Sequence, residues 1–181
     1  GLRSFNKEMP EEINRILTDH LSSICFVPSQ NAYENLIKEG ISSSNIFDVG
    51  DVMYDASIHF GRLAKSKSVI LNKLNIKPFN YILATIHRKD NTDNESNLKN
   101  IFFAFEEIGE KIILPLHPRT KKALKDYNIV PKKNIKVIDP VGYLDMLTLE
   151  ENSLKIITDS GGVQKEAYFF KKPCIIIRNE T

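Results

Sequence analysis

The chain has 181 residues, enough for one good core or two small ones, and its 41% hydrophobic and 27% charged residues are the make-up of a folded globular protein. Its 25 basic and 23 acidic residues are mixed along the chain, so the formal charge of +2 gathers into no basic stripe that would grip nucleic acid. No apolar run approaches the ~20 residues needed to cross a bilayer, and no charged and then apolar stretch opens the sequence, so no membrane partner and a cytoplasmic location are the expectations.

In chain order, PEEINRILTDHL reads as a helix, SICFVPS as a strand, QNAYENLIKEG as a helix and NIFDVG as a strand. Pro10 at a helix start, acids in the first turn and Glu11 four residues before Arg15 make a stabilising helix entry by themselves. These elements are expected to be the closing βα units of one α/β domain. DVMYDASIHFGRLAKSKSVILNKL then forms a helical connection.

From Tyr81 onward strand and helix alternate. The strand candidates YILATIH, KIILPLH, NIKVIDP, LKIITD and CIIIR are short, near-continuous apolar runs, as strands covered on both faces require. The helical candidates between them are NESNLKNIFFAFEEIG, RTKKALKDYN, GYLDMLTLEEN and GGVQKEAYFFKK. In the first of these Leu98, Ile101, Phe102, Phe105 and Ile108 recur at helical spacing as one buried face, with Asp93 or Thr92 as the N-cap. Parallel strands need crossover connections, and those pack as helices, so the fold class is α/β with a Rossmann-like doubly wound parallel sheet. Cys25 and Cys174 lie in apolar strand candidates without Cys-x-x-Cys spacing, which predicts buried reduced thiols. The sequence opens without an initiator Met and stops just after an apolar strand, so it is expected to be a piece of a longer protein.

Ligands of open α/β sheets sit outside the carboxyl ends of the strands. The residues that end these strands are His87 and Arg88, His117 and Arg119, Asp139 to Tyr143, Asp159 to Gly162, and Arg178. Histidines, arginines and a glycine pair make the composition of an anion site. Ser160, Gly161 and Gly162 precede a helix whose free N–H groups and dipole favour phosphate, and glycine lets phosphate oxygens reach the backbone. The tripeptide alone reads equally as a helix cap followed by a tight turn. Glu166, one helical turn after Gly162, would repel a phosphate but accept from ribose hydroxyls beside one, which suggests a nucleoside diphosphate; an acid near a helix N-terminus is also favourable in itself. His87 and His117 are read as phosphate or hydroxyl contacts, because no third partner repeats a zinc-ligand spacing and no metal is called for.

Seven blocks, GLRSFNKEMPEEINRILTDHLS, FVPSQNAYENLIKEGI, VGDVMYDA, TIHRKDNTD, PLHPRT, GYLDML and TDSGGVQKEAYFFKKPCIIIRNET, resemble in order and spacing the non-hydrolysing UDP-N-acetylglucosamine 2-epimerases. The resemblance implies a GT-B-type architecture of two Rossmann-like domains, of which this chain is a truncated form. Residues 1–62 would be the end of the first domain plus the connection, and residues 63–181 an incomplete UDP-binding second domain. It further implies interconversion of UDP-GlcNAc and UDP-ManNAc through a 2-acetamidoglucal intermediate, for cell-surface polysaccharide precursors, with no cofactor and a homodimer when full length.

Carried onto this sequence, the resemblance makes Glu11 an acid of the sugar chemistry and His87 the histidine at the diphosphate. Ser160, Gly161 and Gly162 become the phosphate turn and Glu166 the ribose acid. Pro140 to Met146, with Tyr143, becomes the segment facing uracil, while Arg88 and Arg178 contact UDP, and His117 and Arg119 support or regulate the site. Members of the family are roughly twice this length, as two domains of ~100 to 200 residues require, and part of their acid/base machinery lies in the half not present here. The isolated chain is therefore expected to bind UDP weakly at most. The rival readings are a hydrolysing epimerase that releases ManNAc and UDP, a GT-B glycosyltransferase, a non-catalytic nucleotide-sugar module and an inactive remnant.

Overall fold

A computed structural model describes residues 1–178, and the final residues of the last block, 179–181, lie outside the described residues. The described residues form two compact units, one of residues 1–55 and one of residues 56–178.

In the first unit, helix α1 (Pro10–Leu21), strand β1 (Cys25–Val27), helix α2 (Gln30–Lys38) and strand β2 (Ile46–Asp48) follow in order, and β1 and β2 pair in parallel. The period of two along β1 is visible in its burial: Cys25 and Val27 join Ala32, Leu36 and Ile46 in a small core, whereas Phe26 between them is 68% exposed. Arg3 ties the preceding segment down by pairing with Asp19 of α1 at 2.8 Å and with Glu39 beyond α2 at 2.7 Å.

Helix α3 (Val52–Lys67) carries the chain into the second unit, where α4 (Ile70–Leu74) leads to β3 (Ile82–Thr85). There follow α5 (Lys89–Thr92), α6 (Glu95–Ile108), β4 (Ile112–Pro115), α7 (Pro118–Asp126) and β5 (Ile135–Ile138). The remainder is α8 (Tyr143–Glu151), β6 (Lys155–Thr158), α9 (Gly161–Phe169) and β7 (Cys174–Ile176). All pairs are parallel and the strand order is β5-β4-β3-β6-β7. Chain order thus runs one way from β3 through β4 to β5 and the other way from β6 to β7, with β3 and β6 side by side from Ile82 opposite Lys155 to Thr85 opposite Thr158. This is the expected doubly wound α/β sheet, and its topological switch point lies between the carboxyl ends of β3 and β6.

Alternate residues feed the two faces. Ile82, Ala84, Ile112, Leu114 and Ile157 pack with Leu98, Phe102 and Phe105 of α6, while Tyr81, Leu83, Ile113 and Ile156 pack with Leu149 of α8 and Ala167 of α9. The Tyr81 hydroxyl, buried with its ring, donates to the Leu149 carbonyl at 2.7 Å. Three expectations are corrected. The N-cap of α6 is Asn94, whose side chain accepts from the Asn97 N–H; the short helix α5 occupies Thr92, which donates instead to the Arg88 carbonyl. Ile108 is 37% exposed, because at 100° per residue it has turned ~80° off the Leu98 direction. Cys174 is only half-buried, since β7 is an edge strand whose Ile175 and Ile176 also meet water, whereas Cys25 is buried as expected.

Truncating Phe102, 1% exposed, to alanine is expected to cost about 3 to 5 kcal/mol in chemical denaturation, against a change within about 0.5 kcal/mol for its 62% exposed neighbour Phe103.

Candidate functional site

The turns after β3 and β6 meet at the switch point, and Asp159 joins them. Its carboxylate has no exposure to water, so it must be given donors. It accepts from the His87 N–H at 3.0 and 3.1 Å, the Arg88 N–H at 2.9 Å and the Asn91 amide at 3.0 Å. Asn91 also donates to the Ile177 carbonyl just past β7, so the ends of three strands are tied together. The imidazole of His87 lies with Nδ1 3.3 Å from Asp159. Burial lowers the pKa of this ring; Asp159 opposes that shift, while His117, Arg88 and Arg119 reinforce it. The net shift is downward, so His87 is neutral at pH 7 in the absence of a ligand.

His117 caps α7, its Nδ1 accepting from the Arg119 N–H at 3.2 Å, and its ring centroid is 5.5 Å from that of His87. Arg119 reaches Asp93 at 3.5 Å. Both residues therefore line the same end of the sheet as His87.

Across the switch point Ser160 is the N-cap of α9, its hydroxyl accepting from the Val163 N–H at 3.4 Å. Gly161 and Gly162 open the helix, and their N–H groups have no acceptor within it. Neither glycine has a positive φ, so a left-handed turn is not what requires them. Close approach is: a Cβ on Gly161 would lie 3.3 Å from Nη1 of Arg178, whose guanidinium is drawn up against the turn.

Glu166 is the sixth residue of α9, in its second turn, and is 6% exposed. The Tyr143 hydroxyl donates to it at 2.9 Å, and Tyr143 is in turn met edge-on by Phe60 at 5.8 Å. Tyr143 begins α8, so the expected loop from Pro140 to Met146 is irregular only as far as Gly142. The N–H of Met146 donates to the Gly142 carbonyl inside the helix, and its side chain packs on the core. Beside Glu166 lies Glu150, wholly buried; burial first, and the neighbouring carboxyl second, raises its pKa well above the usual carboxylate range. Burial likewise raises that of Glu166, against the hydrogen bond from Tyr143.

Glu11 belongs to the first unit, where it is exposed on the first turn of α1. The buried acid of that turn is Glu12, which accepts from the N–H groups of Ser4 and Phe5 at 2.9 and 3.0 Å. Arg15 pairs with Glu12 at 3.1 Å, one position nearer than the spacing from Glu11 suggested.

Sequence reasoning passed over three contributors. The sequence marks Asp159 only as one of the residues that end the strands, and Asn91 not at all. Glu150 had a signal: it stands seven residues after Tyr143 and three after Leu147, on the same helix face.

The family model for UDP-N-acetylglucosamine 2-epimerase matches residues 1–181. The chain belongs to that epimerase family. It is 56% identical over 186 residues to a UDP-N-acetylglucosamine 2-epimerase homolog of Methanococcus maripaludis, covering 100% of this chain and 52% of the relative. It is 46% identical to a UDP-2,3-diacetamido-2,3-dideoxy-D-glucuronate 2-epimerase of Pseudomonas aeruginosa, covering 100% of this chain and 51% of that one. Among solved structures, the Methanocaldococcus jannaschii UDP-GlcNAc 2-epimerase in complex with UDP-GlcNAc and UDP matches with a TM-score of 0.89 at 46% identity, over 100% of this chain and 52% of the other. The epimerase fold is thus the GT-B-type α/β fold, and the chain spans about half the length of the curated relatives it matches.

Replacing Asp159 by alanine in this member of the family orphans several buried donors at about 1 to 3 kcal/mol each. The unfolding midpoint is expected to fall, and the amides of residues 87–91 to lose protection in hydrogen exchange.

Proposed function

We propose that the second unit is the UDP-binding half of an enzyme that interconverts UDP-GlcNAc and UDP-ManNAc without net hydrolysis. The observation that carries this reading is the gathering of Arg178, His87 and the open N–H groups of Gly161 and Gly162 at the switch point, with Glu166 a turn further along the same helix. A diphosphate fits the first group, because helix N–H groups and a guanidinium favour an anion. A ribose diol fits Glu166, which accepts but cannot donate when ionised. The irregular segment 140–142, ahead of Tyr143, is then the place for uracil. Arg88, His117 and Arg119 add positive potential around His87.

In the chemistry proposed, a base removes the proton from carbon 2 of the sugar, its electron pair forms the carbon 1–carbon 2 double bond, and the carbon 1–oxygen bond breaks with its pair leaving on UDP. UDP adds back to carbon 1 as carbon 2 is protonated from the opposite face. Negative charge grows on the departing diphosphate, so Arg178, the glycine N–H groups and a protonated His87 act more strongly in the transition state than before it. Asp159 engages Nδ1 of His87, which leaves Nε2 for the diphosphate. Glu11, in the first unit, is assigned to the sugar. On this reading residues 1–62 close the N-terminal domain, residues 63–181 form the UDP domain, and the full-length protein is a cytoplasmic homodimer. Among the described residues no helix is long and apolar enough to cross a membrane. The 46% identity to the diacetamido-glucuronate epimerase supports a second reading of the sugar, which product analysis with both UDP-sugars separates.

Calorimetric titration with UDP is expected to give saturable binding that His87→Ala and Glu166→Ala each weaken about tenfold, or ~1.4 kcal/mol, with no epimerisation by the isolated chain. A folded chain that binds no UDP, or that turns over by itself, overturns the proposal. His87 is neutral when free, and an anion raises its pKa. UDP binding is therefore expected to take up a proton near neutrality and to strengthen as pH falls; titration in buffers of differing ionisation enthalpy reads the uptake, which His87→Ala abolishes.

A further inference from the structure

Among the described residues, the buried side-chain polar atoms without a hydrogen-bond partner are Ser57 Oγ and both carboxyl oxygens of Glu150. All of them collect at one place. Ser57, on α3, lies beside the Tyr143 hydroxyl, Tyr143 donates to Glu166, and Glu150 faces Glu166 from the end of α8. Cys174 on β7 is the further titratable neighbour of Glu150. A carboxylate with no exposure and no donor does not stay ionised in such a setting, and two carboxyl groups in contact share one proton. Of the two, Glu166 has a hydroxyl donor and Glu150 has none, so Glu150 carries the proton.

We infer that Glu150 is a positioning residue for Glu166: as a neutral acid it donates a hydrogen bond to the Glu166 carboxylate, holding it ionised and oriented to accept from the hydroxyls of a nucleotide ribose. The inference rests on the assignment of Glu166 to the ribose. Two donors, the Tyr143 hydroxyl and the Glu150 acid, then fix the acceptor from within the protein, and its remaining lone pairs face the ligand. A second ionisation of the pair would put two negative charges side by side without a counter-ion.

Titration calorimetry with UDP and 2′-deoxy-UDP tests this on the wild-type chain and on Glu150→Gln, Glu150→Leu and Glu166→Ala. Glutamine retains an N–H donor, so Glu150→Gln is expected to keep the preference for UDP within about twofold. Leucine offers none, and Glu150→Leu is expected to lower that preference at least about fivefold without lowering the unfolding midpoint. Loss of preference in Glu166→Ala but not in Glu150→Leu overturns the role of Glu150 alone. An unchanged preference in Glu166→Ala, or absence of UDP binding, overturns the ribose assignment itself.

The shared proton has a readout that needs no ligand. Glu150 ionises in the unfolded chain near its ordinary value of 4.5 but holds its proton in the fold, so the unfolded state binds fewer protons above that pH. Wild-type stability relative to Glu150→Gln is therefore expected to fall steadily as pH rises from 4.5 towards 8. A difference that does not change with pH overturns the shared proton.

Discussion

A carboxylate sealed from water has to be satisfied by the protein, and at Asp159 the donors come from the turn after the neighbouring strand. Everything at the mouth of the sheet depends on that bond set. It fixes the backbone of His87 and Arg88, orients the imidazole, and through Asn91 binds the end of β7 as well. Because its charge is taken up by these donors, Asp159 is compatible with the anion site proposed above.

The second acid pair solves the related problem differently. Glu166 is buried and so needs donors around it; Tyr143 is one, and the proton proposed for Glu150 would be the other. Acids thus stand on both sides of the turn at Ser160 to Gly162, Asp159 satisfied by three residues of the neighbouring turn and Glu166 by the Tyr143 hydroxyl. Positive potential comes from Arg178 against Gly161 and from the start of α9.

The sheet was legible because its central strands β3, β4 and β6 are covered on both faces and read as nearly unbroken apolar runs, and each crossover reads as a helix. The positions of His87 and of the glycine pair were legible for a different reason, since the first follows a strand and the second opens a helix. What escaped was contact at a distance along the chain. Nothing in the sequence near Asp159 says that its partners are the N–H groups of residues 87 and 88, and nothing near Glu150 says that Glu166, on another helix, is its neighbour. Local signals also fell short by small steps: Asn94 caps α6 in place of Asp93 because α5 intervenes, and Arg15 pairs with the buried Glu12, which the spacing did not single out.

The strand order has a bearing on synthesis. Every neighbouring pair is parallel, and the central pair closes a long loop, with Thr85 and Thr158 meeting 73 residues apart. A chain emerging from the ribosome can lay β4 against β3 and β5 against β4 long before β6 exists. During that interval the other side of β3, Ile82 to Thr85, is an apolar strand edge with unpaired backbone groups, a template for any passing strand. The arrival of β6 with Asp159 both closes that edge and sets the His87 turn.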